Sequence, residues 1–232
     1  MKRLTLVTLV LLFLTFCATA FAGESQLKKA TNVINEIMGT PDKGIPDELL
    51  ERSVCVGIVP SQFKFAFGFG GSYGRGVLVC RKGGNGAWDA PSMFTVGGAS
   101  VGFQIGGKAT DVVFLVMNPE GMKKLVQDSV KLGAELSVAA GPVGRSAQGA
   151  TDAQLHAEIL SYSRTRGLFA GASLSGAVLK QDRDDNKKLY GRNVTAKEIL
   201  IDGTVPTPRA ARGLDSALTK YSPKGGEEFA RL

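Results

Sequence analysis

The chain has 232 residues, 44% hydrophobic and 21% charged, enough for one large domain with a full core or for two small ones. Its formal charge of +7 favours anionic partners, yet no dense Lys/Arg run exists to grip nucleic acid. With a single histidine and three cysteines, one of which lies in the leader described next, no zinc set can be assembled.

Residues 1–22 read as an export signal. Lys2 and Arg3 give the positive start, Leu4–Phe16 the apolar run, and Ala20-Phe21-Ala22 the small-x-small cleavage pattern. The run is too short and wrongly flanked for a membrane span, and Phe16 before Cys17 does not match a lipoprotein box. The mature chain is expected to start near Gly23 with a charge of +5, in the periplasm or outside the cell. Export argues against nucleic acid and turns the basic balance toward membranes. Residues 23–232 show no linker and no repeat, so a single domain is expected.

Residues 24–38 place Leu27, Ala30, Val33, Ile34, Ile37 and Met38 on one helical stripe, with Lys28 and Lys29 off it. Two readings stand: a helix packed on a sheet, or an amphipathic helix lying in a membrane interface with its lysines at the head groups. Gly39-Thr40-Pro41 stops this helix, and a short one is expected from Pro46 to about Arg52. Val54–Val59 reads as a strand. Phe63, Phe65, Phe67 and Phe69 then alternate with Lys64, Ala66, Gly68 and Gly70, and a turn at Gly71-Ser72 leads into Tyr73–Arg81 as a hairpin. The four phenylalanines are expected in the core or around an apolar cavity. Cys55 and Cys80 both sit in strand-like contexts; a disulfide worth roughly 3 kcal/mol and a pair of buried thiols are both open.

The stretch from Trp88 to Met117 is the centre of the pattern. Thr95, Ala99, Val101, Phe103 and Ile105 alternate with Gly98, Ser100, Gly102, Gln104 and Gly106, so one strand face is nearly bare. A bare face makes sense where another backbone or a ligand lies close. Val112–Met117 is an apolar run expected to be buried on both faces. Asn118-Pro119-Glu120 starts a helix; Glu135–Ala140 resumes strand character before the turn Gly141–Arg145. Ile159–Arg166 and Leu168–Lys180 read as a strand pair joined at Gly167. Asp182–Tyr190 and Thr195–Leu200 read as short helices, the second with a Thr195/Glu198 capping box. Thr207-Pro208 begins a last amphipathic helix carrying Ala211, Leu214, Ala217, Leu218 and Tyr221. The expected fold is α+β: a large, mostly antiparallel, Gly-rich twisted sheet or partial barrel flanked by short amphipathic helices.

Seven phrases, in order, resemble the SYLF-domain family of lipid-binding proteins: CVGIVP (55–60), GFGGSYGRGVL (68–78), WDAPSMF (88–94), GASVGFQIGGKATDVVFLV (98–116), SVAAGPVGR (137–145), SYSRTRGLFAGASLSGAVL (161–179) and NKKLYGRNVTAKEIL (186–200). The resemblance spans about residues 28–220. It implies a non-enzymatic binder of membrane lipid, with phosphoinositides as ligands of eukaryotic members, actin binding in some, and an N-terminal amphipathic helix that touches the membrane. Residues 24–38 would be that helix here. The export signal and the lack of an attached SH3 or FYVE module depart from the eukaryotic pattern, so anionic phospholipid is the expected ligand class and actin binding is not expected.

Three motifs suggest chemistry. Gly98-Ala99-Ser100-Val101-Gly102 matches a nucleophile elbow, with Asp111 or Asp128 and then His156 in hydrolase order, but the alternation continues through Ser100 where a turn into a helix is needed. Gly102 to Lys108 resembles a P-loop, except that Ala109 replaces the magnesium-binding hydroxyl and a strand follows. Asp182, Asp184 and Asn186 mimic a calcium loop, with Lys187 in place of the required glycine. Lipid binding without chemistry is therefore the leading expectation, a serine hydrolase or an envelope scaffold the alternatives. Leu27, Val33, Ile34 and Ile37 would insert, while Lys28, Lys29, Lys108, Arg145, Arg164 and Arg166 would meet phosphate groups. No cofactor is expected, and the oligomeric state stays open.

Overall fold

β-branched and aromatic residues between positions 55 and 116 build one long antiparallel hairpin, β1 (Cys55–Phe67) with β2 (Phe69–Cys80), flanked by the antiparallel strands β3 (Ser92–Val101) beside β2 and β4 (Gly106–Val116) beside β1. The four stand in the order β3-β2-β1-β4. The computed structural model describes residues 21–39, 44–67, 69–101, 106–143, 154, 156–165 and 168–223, with backbone alone at 21–22, 64–67, 69–70, 99–101 and 106–108. Residues 1–20 of the expected export signal, Arg145 and Arg166 lie outside it.

Outside β4 comes β7 (Ile159–Thr165), whose far edge is shared by the parallel β6 (Val138–Ala140) and the antiparallel β8 (Leu168–Gly171). Outside β3 come β9 (Val178–Gln181) and β5 (Ser129–Lys131). The described residues thus form one curled, nine-stranded, mostly antiparallel sheet with short helices, the α+β fold that the sequence implies.

The register corrects two expectations. Phe67 stands opposite Phe69 in the β1/β2 register, and Gly71 and Ser72 are paired within β2 rather than forming the turn. Phe69 therefore belongs to β2, and Phe63 is 53% exposed instead of core. Likewise, 168–180 is not one strand. The chain leaves β7 after Gly171, where a Cβ would lie 2.3 Å from the Gly141 carbonyl oxygen, and turns at Gly176 (φ 85°) before β9 joins the opposite edge.

Both sheet faces are covered, so Val112–Val116 is buried throughout, as an apolar run of that length requires. On one face, α1 (Phe21–Met38) and the C-terminal α6 (Arg212–Tyr221) pack Leu27, Ile34, Leu214 and Leu218 over Val56, Ile58, Val77, Val113 and Leu115. On the other, α3 (Pro119–Leu125), α5 (Ala196–Leu200) and the loops beside them cover Val59, Leu78, Phe94, Val96 and Phe114. The short α2 (Asp47–Arg52) contributes Leu50, with Pro46 at its cap and not at its first position. Local capping works as read: Asn118 accepts from the Gly121 amide at 2.8 Å, and Thr195 and Glu198 form a reciprocal box. Asp182 caps α4 (Arg183–Tyr190), which ends at Gly191 with φ 71°.

Glycine in the central strands makes room for rings. A Cβ on Gly57 would sit 2.0 Å from Cζ of Phe114, and one on Gly76 would sit 2.4 Å from Cζ of Phe94. Those two rings meet edge to face at 5.6 Å. Gly98, on the face read as bare, lies 3.4 Å by the same measure from the backbone of Ala177. The close neighbour there is protein backbone. Cys55 and Cys80 stand directly opposite in the β1/β2 register and are bonded to each other, in the buried end of the sheet.

Glu158, before β7, joins three segments: it accepts from Lys124 Nζ of α3 at 2.8 Å and from the Ser137 amide at 2.9 Å. Partial burial opposes its charge, but the bonds from Lys124 and Ser137 outweigh that and hold its carboxyl below the usual range. A depressed carboxylate stabilises the fold above its unfolded pKa, and that contribution is lost as pH falls through the folded value. Glu158→Gln is therefore expected to cost about 1 kcal/mol at neutral pH. Urea melts of both proteins should converge as the pH is lowered below the carboxylate range.

Candidate functional site

Helix α1 runs across the strands, and polar contacts mark its course. Near its start, Gln26 Nε2 donates to the carbonyl of Arg75 in β2. Near its end, Glu36 pairs with Arg164 in β7. Arg164 also grips Asp111 of β4 through Nη2 at 2.7 Å, and the other Asp111 oxygen accepts the Ser61 amide at 2.9 Å. Ser61 has φ 55°, and Pro60-Ser61 stand where β4 has Asp111 alone, so β1 carries a bulge there. The bulge, two sheet strands and the helix are thus tied through one guanidinium. Partial burial pulls Arg164 down, but the bonds to Asp111 and Glu36 outweigh it and leave its pKa above the ordinary value.

This geometry corrects two expectations about lipid contact. Leu27, Val33, Ile34 and Ile37 are 0–4% exposed and form part of the core, so they are not free to insert while α1 is docked. Arg164 does not stand open at a hairpin end; its side chain is 20% exposed and engaged by two acids. Lys28 and Lys29 do face outward. Lys108 lies in β4 opposite Lys64 in backbone register, and its side chain is outside the described residues, as are all of Arg145 and Arg166.

Two features escaped the sequence reading. On the α1 face of the sheet, Phe63 and Tyr73 are register partners, and each is 53% exposed. Tyr73 is two positions along β2 from Arg75, which places the pair at the distal flank of α1. On the other flank, α6 and its leading turn Arg209–Ala211 pack against α1, bringing Arg209 and Arg212 beside it. A Phe–Tyr alternation and a basic helix start were visible in sequence, but nothing local ties either to residues 24–38.

The catalytic motifs do not assemble. Ser100 lies within β3 opposite Gly70, and the next described residues, Val101 and Gly106–Val116, are strand and not helix. Gly70 is ten positions along β2 from Cys80, roughly 30 Å of strand. Cys80 shares a row with Cys55, Val116 and Ile159, and exposed His156 precedes Ile159, so serine and histidine are at opposite ends of the sheet. Asp111 is engaged by Arg164, and Asp128 pairs with Arg183 at 2.6 Å. Gly107 and Lys108 are in a strand, without the helix start that a phosphate loop needs. Of the calcium-like residues, Asp182 caps α4, and Asn186 is fully buried, its Oδ1 accepting the Met93 amide at 2.7 Å. Among the described residues no group of three or more metal-ligating side chains comes together. The cavity of about 720 Å³ between β3, β9 and the start of α4 is lined by Thr95, Asp128, Lys180 and Arg183, with acids and bases both present. No helix among the described residues is long and apolar enough to cross a membrane.

Known proteins agree with the phrases read in sequence. A family model described as Ysc84, Las17-binding protein actin regulator, matches residues 97–221. Over 215 residues the chain is 36% identical to LAS seventeen-binding protein 3 of Saccharomyces cerevisiae, covering 88% of this chain and 46% of that protein. It is 37% identical over 197 residues to Protein YSC84 of the same yeast, covering 81% and 41%. To SH3 domain-containing YSC84-like protein 1 of Homo sapiens it is 31% identical over 215 residues, covering 90% and 62%. The chain spans about half the length of the yeast relatives it matches. With the family match covering more than half of its residues and these identities running across nearly the whole described fold, the chain belongs to the Ysc84, or SYLF-domain, family.

Proposed function

We propose that this protein is an exported, non-enzymatic binder of anionic phospholipid that sits on the membrane surface at the cell envelope. One observation carries the reading: α1 turns its apolar stripe inward and presents Lys28 and Lys29 outward, in no ion pair with a described residue. Each cation held near an anionic leaflet contributes about 1 kcal/mol. Phe63 and Tyr73, exposed on the same side, supply aromatic surface suited to the head-group layer. The purified protein is expected to float with phosphatidylglycerol-containing vesicles at low salt, to release at high salt, and to ignore neutral phosphatidylcholine vesicles. Failure to co-float with anionic vesicles at low salt ends the reading.

A second reading has one observation in its favour. The family description names Las17 binding and actin regulation, and the exposed Phe63–Tyr73 pair would suit a protein partner. Co-sedimentation with filamentous actin, lost on Phe63→Ser/Tyr73→Ser while vesicle flotation persists, would favour it.

A further inference from the structure

We infer that the lipid-facing surface is a platform of two docked helices, in which Arg209 and Arg212 at the start of α6 contribute as much charge as Lys28 and Lys29 of α1. This inference rests on the lipid reading above and deepens it: the C-terminal helix becomes part of the site, and α1 binds without leaving the sheet.

The placement comes from packing. A Cβ on Gly213 would lie 3.8 Å from Oγ1 of Thr31, so the first turn of α6 abuts the middle of α1. At 100° per residue, Lys28 stands about 60° round the helix from Thr31, on the outward side of that contact. Arg212 adjoins Gly213, and Arg209 lies in the turn that also packs on α1. Lys28, Lys29, Arg209 and Arg212 are all exposed, and none pairs with a described acid. The acids of the two helices do not cancel them. Glu36 is taken by Arg164, which leaves Glu24 and half-buried Asp215, two acids against four exposed cations.

Undocking α1 is disfavoured by a simple comparison. It would uncover Leu27, Val33, Ile34 and Ile37 together with the sheet residues beneath them, including Val56, Ile58 and Val77. A bilayer would cover the helix side again but leave the sheet side wet. The four cations lie on convex helix surfaces, so the partner that fits them is a spread of phosphate-bearing head groups, an anionic bilayer surface, recognised by charge density.

Partitioning onto mixed phosphatidylglycerol and phosphatidylcholine vesicles tests this with two variants. Arg209→Ala/Arg212→Ala should partition about 30-fold more weakly than wild type, about fivefold per cation, with an unchanged thermal melt. Thr31→Cys/Gly213→Cys, oxidised to lock α1 onto α6, should bind as wild type does. Wild-type binding by the arginine double variant, or loss of binding in the locked protein, overturns the inference while the lipid reading stands. A wild-type protein that ignores the vesicles removes the lipid reading itself, and this inference with it.

Discussion

Ile34→Asp is expected to unfold the protein, not to detach a folded one from membranes. Ile34 is 0% exposed and packs in the core beneath α1 with Leu27, Ile58, Val113 and Leu214. The substitution forfeits about 1.5–3 kcal/mol of apolar burial and places a carboxylate where no described cation is positioned to meet it. A total above about 5 kcal/mol is comparable with the whole stability of an ordinary domain. Circular dichroism and a thermal melt decide the matter: loss of the cooperative transition is expected. A folded Ile34→Asp protein that merely loses vesicle binding would mean that α1 lives away from the sheet in solution, which would revive insertion of its stripe. A polar-face change such as Asn32→Asp makes the contrast, since that residue is exposed and its substitution should leave the melt within about 0.5 kcal/mol of wild type.

Arg81→Leu is the second large loss, and its cause is polar. Arg81 is 1% exposed, yet it forms no ion pair with a described carboxylate, and Glu51 acts on it only through its charge. Its guanidinium donates to the carbonyls of Ser53 and Gly86, each at 3.1 Å, to that of Ser222 at 3.3 Å, and to the Ser222 hydroxyl, while it lies 4.0 Å over the Trp88 ring. Trp88 Nε1 donates to the same Ser222 carbonyl at 3.0 Å. Ser222 follows the last turn of α6, where a cation also suits the helix dipole. Burial pushes the Arg81 pKa down to about 10, so the group is charged at neutral pH. Leucine fills part of the volume but leaves buried carbonyls without donors, at a cost of about 3–5 kcal/mol. Urea titration should show a lower midpoint with the slope kept, and hydrogen exchange should speed up first at Leu218 and Ser222. Arg81→Lys is not expected to rescue it, because one ammonium cannot span acceptors on three separate segments. The same clamp fixes the far end of α6, and hence the direction in which Arg209 and Arg212 are presented.

How much of this was legible varies with the range of the interaction. Caps are local: Asn118, Asp182 and the Thr195/Glu198 box each bond within three residues, so their type and spacing announce the helices directly. The hairpin turn was misplaced because several glycines between 68 and 76 tolerate a turn equally well; the pairing of Phe67 with Phe69 is set by β4 and β3 alongside. The break after Gly171 was missed because Leu168–Lys180 alternates like a strand, while its second half joins β3 at the opposite edge of the sheet. Arg164 looked like an open cation because its partner Glu36 lies 128 residues away in sequence.

The order of side chains along the chain was enough to determine the α+β class, the capped helix starts at Asn118, Asp182 and Thr195, the apolar stripe of residues 24–38 and the family, because each depends on neighbours within a turn or on phrases kept in sequence. Which way that stripe faces was decided only in three dimensions. A helical stripe has the same period whether it meets a sheet or a bilayer, and it took Val56, Ile58 and Val113 beneath it, with Arg164 holding its end, to turn Leu27 and Ile34 inward and leave the lysines, beside two arginines from the far end of the chain, to face the solvent.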